Sequence, residues 1–189
     1  MSAVETQPIP LVTAEQFGEL AASLGHCELI EGRVVTMAPA RGPHGSAGLY
    51  LTHAIADWVI RHDLGRMFMA ETGFLLSTQP DTVRAPDFAL VPEDRLPDPL
   101  PNDWLRAVPC LVFEVVSSDA RQAEVLHKVG SWLDFGVSVV WVLYLGQRCL
   151  VEFRAGDRVR RFGEEDTVTC EDVLPGFAFP LSRALRGIA

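Results

Sequence analysis

The spacing of apolar positions divides the chain into short strands, three helices and few long loops. Thr13-Ala14-Glu15-Gln16 has the form of a helix start, a Thr cap followed by acidic and amide side chains. Phe17, Leu20, Ala21 and Leu24 recur behind it at helical spacing, and Gly25 marks the end. Cys27 to Ile30 and Arg33 to Met37 read as strands joined by the tight-turn pair Glu31-Gly32. Gly42-Pro43 opens a long helix from about His44 to His62. Leu49, Leu51, Ile55, Ala56, Trp58, Val59 and Ile60 make it apolar over much of its circumference, as for the main helix packed on a sheet.

Further strands are expected at Met67 to Ala70, Gly73 to Ser77 and Asp87 to Val91. Pro92 to Pro109 holds five prolines and reads as a long irregular loop in which Trp104 is either exposed for an interface or packed on the loop. Cys110 to Val116 is an apolar run broken only by Glu114, the pattern of a central strand. Ala120 to Phe135 has Val125, Val129 and Trp132 on one helical stripe, with Gly136 as its C-cap. Val137 to Leu145 is a second apolar strand, so a strand–helix–strand crossover with parallel pairing is expected. Arg148 to Phe153 and Arg158 to Phe162 form a meander, and Val173 to Phe177 leads into a short C-terminal segment. With no repeat and no linker, residues 1–189 are expected to form one domain, residues 1–12 being an N-terminal extension.

Two of these strands carry a carboxylate in apolar company. Asp87 follows Pro86 at a strand start, and Glu114 lies mid-strand on the face of Val112 and Val116. A buried charge costs several kcal/mol, about that much even after relaxation, unless it is paired or holds a metal. If the strands are neighbours, both acids converge on one hard cation, magnesium or manganese. The competing reading is a structural ion pair at Glu114. Lys128 is the only lysine among sixteen Lys and Arg residues. It sits at the edge of the stripe Val125, Val129 and Trp132, from which its stem can run along apolar surface to the acids. Lys is a compact charge that can give up a proton, and Arg cannot. An ordinary i,i+4 pair with Glu124 is the alternative. His44 opens the long helix, where a His suits anion binding or proton handling, or serves only as a cap-region residue. Glu28 and Glu71 are further acids that either complete a metal shell or bond backbone. Ser117-Ser118-Asp119 reads as a helix-capping turn.

Composition narrows the classes. A hydrophobic share of 48% with 22% charged residues belongs to a folded chain. No run of about 18 apolar residues or leader pattern occurs, so a soluble cytoplasmic protein without membrane contact is expected. The cysteines Cys27, Cys110, Cys149 and Cys170 form no paired motif and read as reduced thiols. The net charge of −9 argues against broad nonspecific polyanion binding. Arg154, Arg158, Arg160 and Arg161 are a candidate local basic patch or simply a solvated hairpin.

Taken in order, Glu28 to Gly32, Pro39 to His44, Arg84-Ala85-Pro86-Asp87, Phe113 to Ser117, Glu124 to Lys128, Val140-Trp141-Val142 and Val173 to Phe177 resemble the Uma-type family of restriction-endonuclease-like proteins. That family lies within the PD-(D/E)XK nuclease superfamily. The resemblance spans about Thr13 to Leu185. It implies an α/β fold with a restriction-endonuclease-like core, a mixed central β-sheet flanked by helices. It implies a divalent-metal-dependent endonuclease acting on nucleic acid, on DNA by preference, and working as a homodimer. Asp87, Glu114 and the Val115 carbonyl would hold magnesium or manganese, Lys128 would act on water or phosphate, and His44 and Glu28 would be further site residues. Val116 stands where the superfamily's lysine is usual, which points to Lys128 as its displaced counterpart. Ser118 and Tyr144-Leu145 also depart from the family pattern. A catalytically silent member acting as a binding or structural partner is the competing outcome.

Overall fold

The computed structural model describes residues 10–117 and 122–188, in three α-helices and twelve β-strands. Glu31 and Gly32 both take positive φ, 49° and 74°, the backbone that joins twisted strands in a two-residue turn. They close the hairpin of β1 (Cys27–Ile30) and β2 (Arg33–Thr36), paired antiparallel from Cys27–Thr36 to Ile30–Arg33. Helix α1 (Ala14–Leu24) begins as its sequence requires: Thr13 Oγ1 accepts the Gln16 N–H at 3.2 Å, and Gln16 Oε1 accepts the Thr13 N–H at 3.0 Å. The first sheet is completed by β4 (Phe74–Ser77) and β5 (Thr82–Arg84), in the order β2-β1-β5-β4. Strand β5 was not foreseen. It is three residues long, too short for an alternation to register.

The second sheet has six strands: β3 (Arg66–Met69), β6 (Phe88–Val91), β7 (Leu111–Val116), β8 (Val139–Tyr144), β9 (Cys149–Arg154) and β10 (Arg158–Gly163). Their order is β10-β9-β8-β7-β6-β3. Only β7 and β8 pair in parallel, linked across α3 (Gln122–Asp134), so the sheet is mixed as expected. Each face has its own helix. Leu111, Phe113 and Val115 pack with the α2 (Gly42–His62) stripe Ala47, Leu51, Ile55 and Val59. Val112, Val140 and Val142 pack with Val125, Val129 and Trp132 of α3. The α2 stripe is narrower than the sequence suggested, since Leu49 and Ile60 face solvent.

Three expectations are corrected. A hairpin of β11 (Thr167–Cys170) and β12 (Leu174–Pro180) replaces the short C-terminal segment and covers the α2 face with Leu174, Phe177 and Phe179. The proline-rich loop is anchored: Glu93–Arg95 forms a short 3-10 turn, and Leu105 bridges to Phe74. Trp104 is half-buried rather than exposed, stacked 5.4 Å from Phe17 with its indole N–H donating to Ala14 O at 2.9 Å. The Ser118-Asp119 part of the capping turn and residues 1–9 of the extension lie outside the described residues. Among the described residues no helix is long and apolar enough to cross a membrane.

Candidate active site

The chain leaves the first sheet at Arg84 and enters the second at Phe88, and residues 85–87 cross between them. Asp87 therefore stands at the boundary of the two sheets, beside β7. Its Oδ2 accepts the Val115 N–H at 2.7 Å, and its Oδ1 lies 3.4 Å from His44 Nε2. His44 reaches it because α2 lies close on β7: a Cβ at Gly48, one turn further on, would meet a Val115 methyl at 3.3 Å. In a strand a residue's N–H and C=O share one edge, so the Val115 carbonyl faces the Asp87 side as well.

Glu114 projects from the other face of β7, and α3 supplies its partners. Lys128 Nζ donates to Glu114 Oε2 at 3.0 Å, and Trp132 Nε1 donates to Glu114 Oε1 at 3.1 Å. The spacing of four residues on α3 places both donors on one helix face. Lys128 Nζ also lies 3.1 Å from Glu28 Oε1 and donates to Ala85 O at 3.2 Å. Glu28 comes from β1 and Ala85 from the crossing segment, so the lysine joins both sheets. Glu28 in turn accepts Arg84 Nη1 at 2.9 Å on Oε2 and the Ala85 N–H at 3.1 Å on Oε1. Arg84 Nη2 meets His127 Nδ1 at 3.0 Å.

The residues that the sequence singled out separately fall into two neighbouring groups, Asp87 with His44 and Glu114 with Lys128 and Glu28, near enough for Lys128 to act on Asp87 and Asp87 on Glu114 electrostatically. Glu71 does not join them: it is exposed in the turn after β3. Arg84, Trp132 and His127 were not picked out by their chemistry. Arg84 had a readable signal, a cation between Val83 and Ala85-Pro86, and it is as buried as Glu28. Of the candidate basic patch, Arg154 is taken up in ion pairs, while Arg158, Arg160 and Arg161 are exposed. Arg154 binds Glu152 and Asp172, Arg158 Nε donates to Ala155 O, and the Arg160 guanidinium lies 4.3 Å from the Phe162 ring centroid.

Asp87, Glu28 and Glu114 oppose Arg84 and Lys128, an excess of one negative charge before His44 is counted. Burial pushes the Glu114 carboxyl up to about 7; Lys128 pulls it down, while Asp87 and Glu28 push it further up. Burial alone would lower Lys128, but Glu114 and Glu28 raise it, so Lys128 keeps its proton. Burial would raise Asp87, yet the hydrogen bonds from His44 and the Val115 N–H outweigh it and hold the carboxyl below its usual range. The hydrogen bond to Asp87 raises His44 in return, against the effect of burial. The all-oxygen set of Asp87, Glu114 and the Val115 carbonyl suits a hard divalent cation. Each bonded carboxylate oxygen retains a further acceptor site. Among the described residues, no group of three or more His, Cys, Asp and Glu side chains is arranged to hold a metal. A set of two carboxylates and a carbonyl leaves the remaining positions to water.

A comparison of folds finds a crystal structure described as "a putative nuclease belonging to DUF820" from Anabaena variabilis. It has a TM-score of 0.79 and 18% sequence identity, and the match covers 94% of this chain and 99% of that one. At that identity the likeness shows the fold alone, a mixed α/β architecture shared over nearly the whole of both chains. No curated protein matches the chain. The model of the Uma2 family, described as "Putative restriction endonuclease", matches residues 14–182, from the first residue of α1 to the turn that follows β12. A match of that extent, over a site assembled from both sheets, makes the chain a member of the Uma2 family.

Proposed function

We propose that the chain is a divalent-metal-dependent endonuclease that hydrolyses phosphodiester bonds, with DNA as its substrate. The observation that carries this reading is the Lys128 ammonium, held 3.0 Å from Glu114 in a carboxylate cluster that also contains Asp87. Asp87, Glu114 and the Val115 carbonyl would hold magnesium or manganese. Such an ion, when bound, lowers the pKa of coordinated water and offsets negative charge on a phosphate. Lys128 keeps a full positive charge beside that centre, where it balances the carboxylates and offsets negative charge developing on a phosphate. Trp132 fixes the second oxygen of Glu114, which keeps the carboxylate from turning away. His44, raised by its hydrogen bond to Asp87 at the start of α2, adds an N–H donor at the rim.

The test is cleavage of single-stranded DNA, double-stranded DNA and RNA with magnesium or manganese, beside Asp87→Ala and Lys128→Ala. Anomalous scattering from manganese-soaked crystals locates the ion. Cleavage that survives Asp87→Ala rejects the mechanism. Manganese at Asp87 and Glu114 with no substrate cut favours a nuclease-fold binding protein instead. The same reading takes a cytoplasmic homodimer as the working form, which sedimentation equilibrium checks.

A further inference from the structure

Glu28 and Arg84 are each 3% exposed, and both belong to the first sheet. A pair that served only to join β1 to β5 would direct its hydrogen bonds to those strands. This pair directs them across the boundary. Glu28 gives Oε2 to Arg84 and presents Oε1 to both Lys128 Nζ and the Ala85 N–H. Arg84 uses its other terminal nitrogen on His127. Two successive residues of α3, His127 and Lys128, are therefore gripped by the two members of one buried pair. The planar fork of Arg is what spans Glu28 and His127 at once; a lysine has no second arm.

The ammonium completes the argument. It has three N–H donors, and three acceptors surround it: Glu114 Oε2 at 3.0 Å, Glu28 Oε1 at 3.1 Å and Ala85 O at 3.2 Å. Glu114 alone would fix a distance. The three together fix the position of Nζ and the rotation of its protons. Arg84 makes the arrangement stable, since without it Glu28 and Glu114 would have to share the single charge of Lys128.

We propose that Glu28 and Arg84 are positioning residues that clamp the Lys128 ammonium against Glu114, so that the N-terminal sheet is a working part of the site. The proposal rests on the reading of Lys128 given above, but the clamp itself can be tested without activity. Lys128 is the single lysine of the chain. Its ammonium gives one side-chain resonance, and besides the α-amine it is the one primary amine open to labelling. The full-length, metal-free protein is examined in two ways: ammonium-selective nitrogen–proton spectra, and timed reductive methylation read by mass on the peptide that carries residue 128.

In the parent protein the ammonium protons give a visible, slowly exchanging signal, and methylation at Lys128 is slower than in the urea-unfolded chain. In Glu28→Gln and in Arg84→Gln the signal is lost to exchange and methylation speeds up by about tenfold or more, the loss of roughly one charge-assisted hydrogen bond. With manganese and bis(p-nitrophenyl) phosphate, kcat falls roughly a hundredfold in both variants, the scale of an ångström's misplacement, while KM stays within about twofold. Near-UV circular dichroism establishes that a variant is folded, and either variant suffices. A parent protein with no protected ammonium overturns the clamp. So does a folded variant in which Lys128 stays as protected as in the parent. Release of Lys128 with kcat unchanged upholds the clamp and removes the catalytic role assigned to Lys128 instead.

Discussion

The six-stranded sheet contains two buried glutamates built from the same parts. Glu114 on β7 accepts an indole N–H from Trp132 and a cation, Lys128. Glu152 on β9 accepts an indole N–H from Trp141 at 2.9 Å and a cation, Arg154, at 2.7 Å. Both interrupt an apolar strand, and they are 8% and 5% exposed. What differs is how each network ends. Arg154 turns its remaining fork onto Asp172, at 2.5 and 2.9 Å, and Asp172 is open to solvent, so the network closes on a bidentate surface pair. Lys128 instead meets a second buried carboxylate, Glu28, and beside Glu114 stands Asp87, held by a backbone N–H and a histidine. One network closes at the solvent-exposed surface. The other stays among buried carboxylates, next to unused acceptor sites. A buried acid in a strand is thus a structural pair or a candidate metal ligand according to its second neighbours.

The sharpest way to break this contrast is to remove one acid from each network. Asp87→Ala is expected to lower metal-dependent DNA cleavage by about a thousandfold or more, the scale of losing a principal charge-stabilising group. Glu152→Gln is expected to leave the initial rate within about threefold. Equal losses would abolish the distinction. Exchanging the cation is a finer test. Lys128→Arg keeps the charge but puts a planar fork where three acceptors are arranged around a compact ammonium, and a loss of roughly a hundredfold in kcat is expected.

The pH dependence of folding separates the networks without any assay of activity. The Glu114 carboxyl has an ordinary value of 4.5 and is raised to about 7 in the folded chain. The folded state therefore takes up a proton between those values, and this contribution to stability is lost as pH rises through them. In chelator-treated protein the urea-derived stability is expected to fall by up to about 3 kcal/mol between about pH 5 and about pH 8. Glu114→Gln should flatten that slope. A stability that climbs over the same interval in the parent protein would contradict the burial argument. The smallest effect is reserved for Arg154→Lys, which gives up the bidentate grip on Asp172. It should cost about 1 kcal/mol in urea unfolding and leave cleavage unaltered.

The same comparison explains what could be read beforehand. Phe88 to Val91, Leu111 to Val116 and Val139 to Tyr144 are long or apolar enough for pattern to identify them, and their mixed pairing followed from the helix between the last two. Thr82–Arg84 was missed because three residues carry no period, and the β11–β12 hairpin because Pro175-Gly176 and acidic turns break its alternation. Within the site, Glu114 and Lys128 were legible as exceptions, an acid in an apolar run and a lone lysine. Glu152 carries the first of those signals equally well, in Leu150-Val151-Glu152-Phe153, and it is engaged by Arg154 and Trp141 at the far end of the sheet. Sequence shows that a charge is buried. Which partners meet it depends on contacts between distant elements, such as β1 with α3, that no local pattern encodes.

The crossing segment between β5 and β6 has a consequence for how the protein can vary. Arg84 closes one sheet and Phe88 opens the next, so residues 85–87 act as a fixed-length tie between Glu28 with its partner Arg84 and Asp87 beside β7. A single residue inserted there would shift Asp87 against Val115 while leaving Arg84 with Glu28, taking the two halves out of step. Residues 97–103 of the proline-rich loop are exposed and under no such demand, since the loop is held on either side by the Glu93–Arg95 turn and by Trp104 and Leu105. Grafted tags or lengthened loops belong in that stretch. The tie is the place where the chain has no slack to lend.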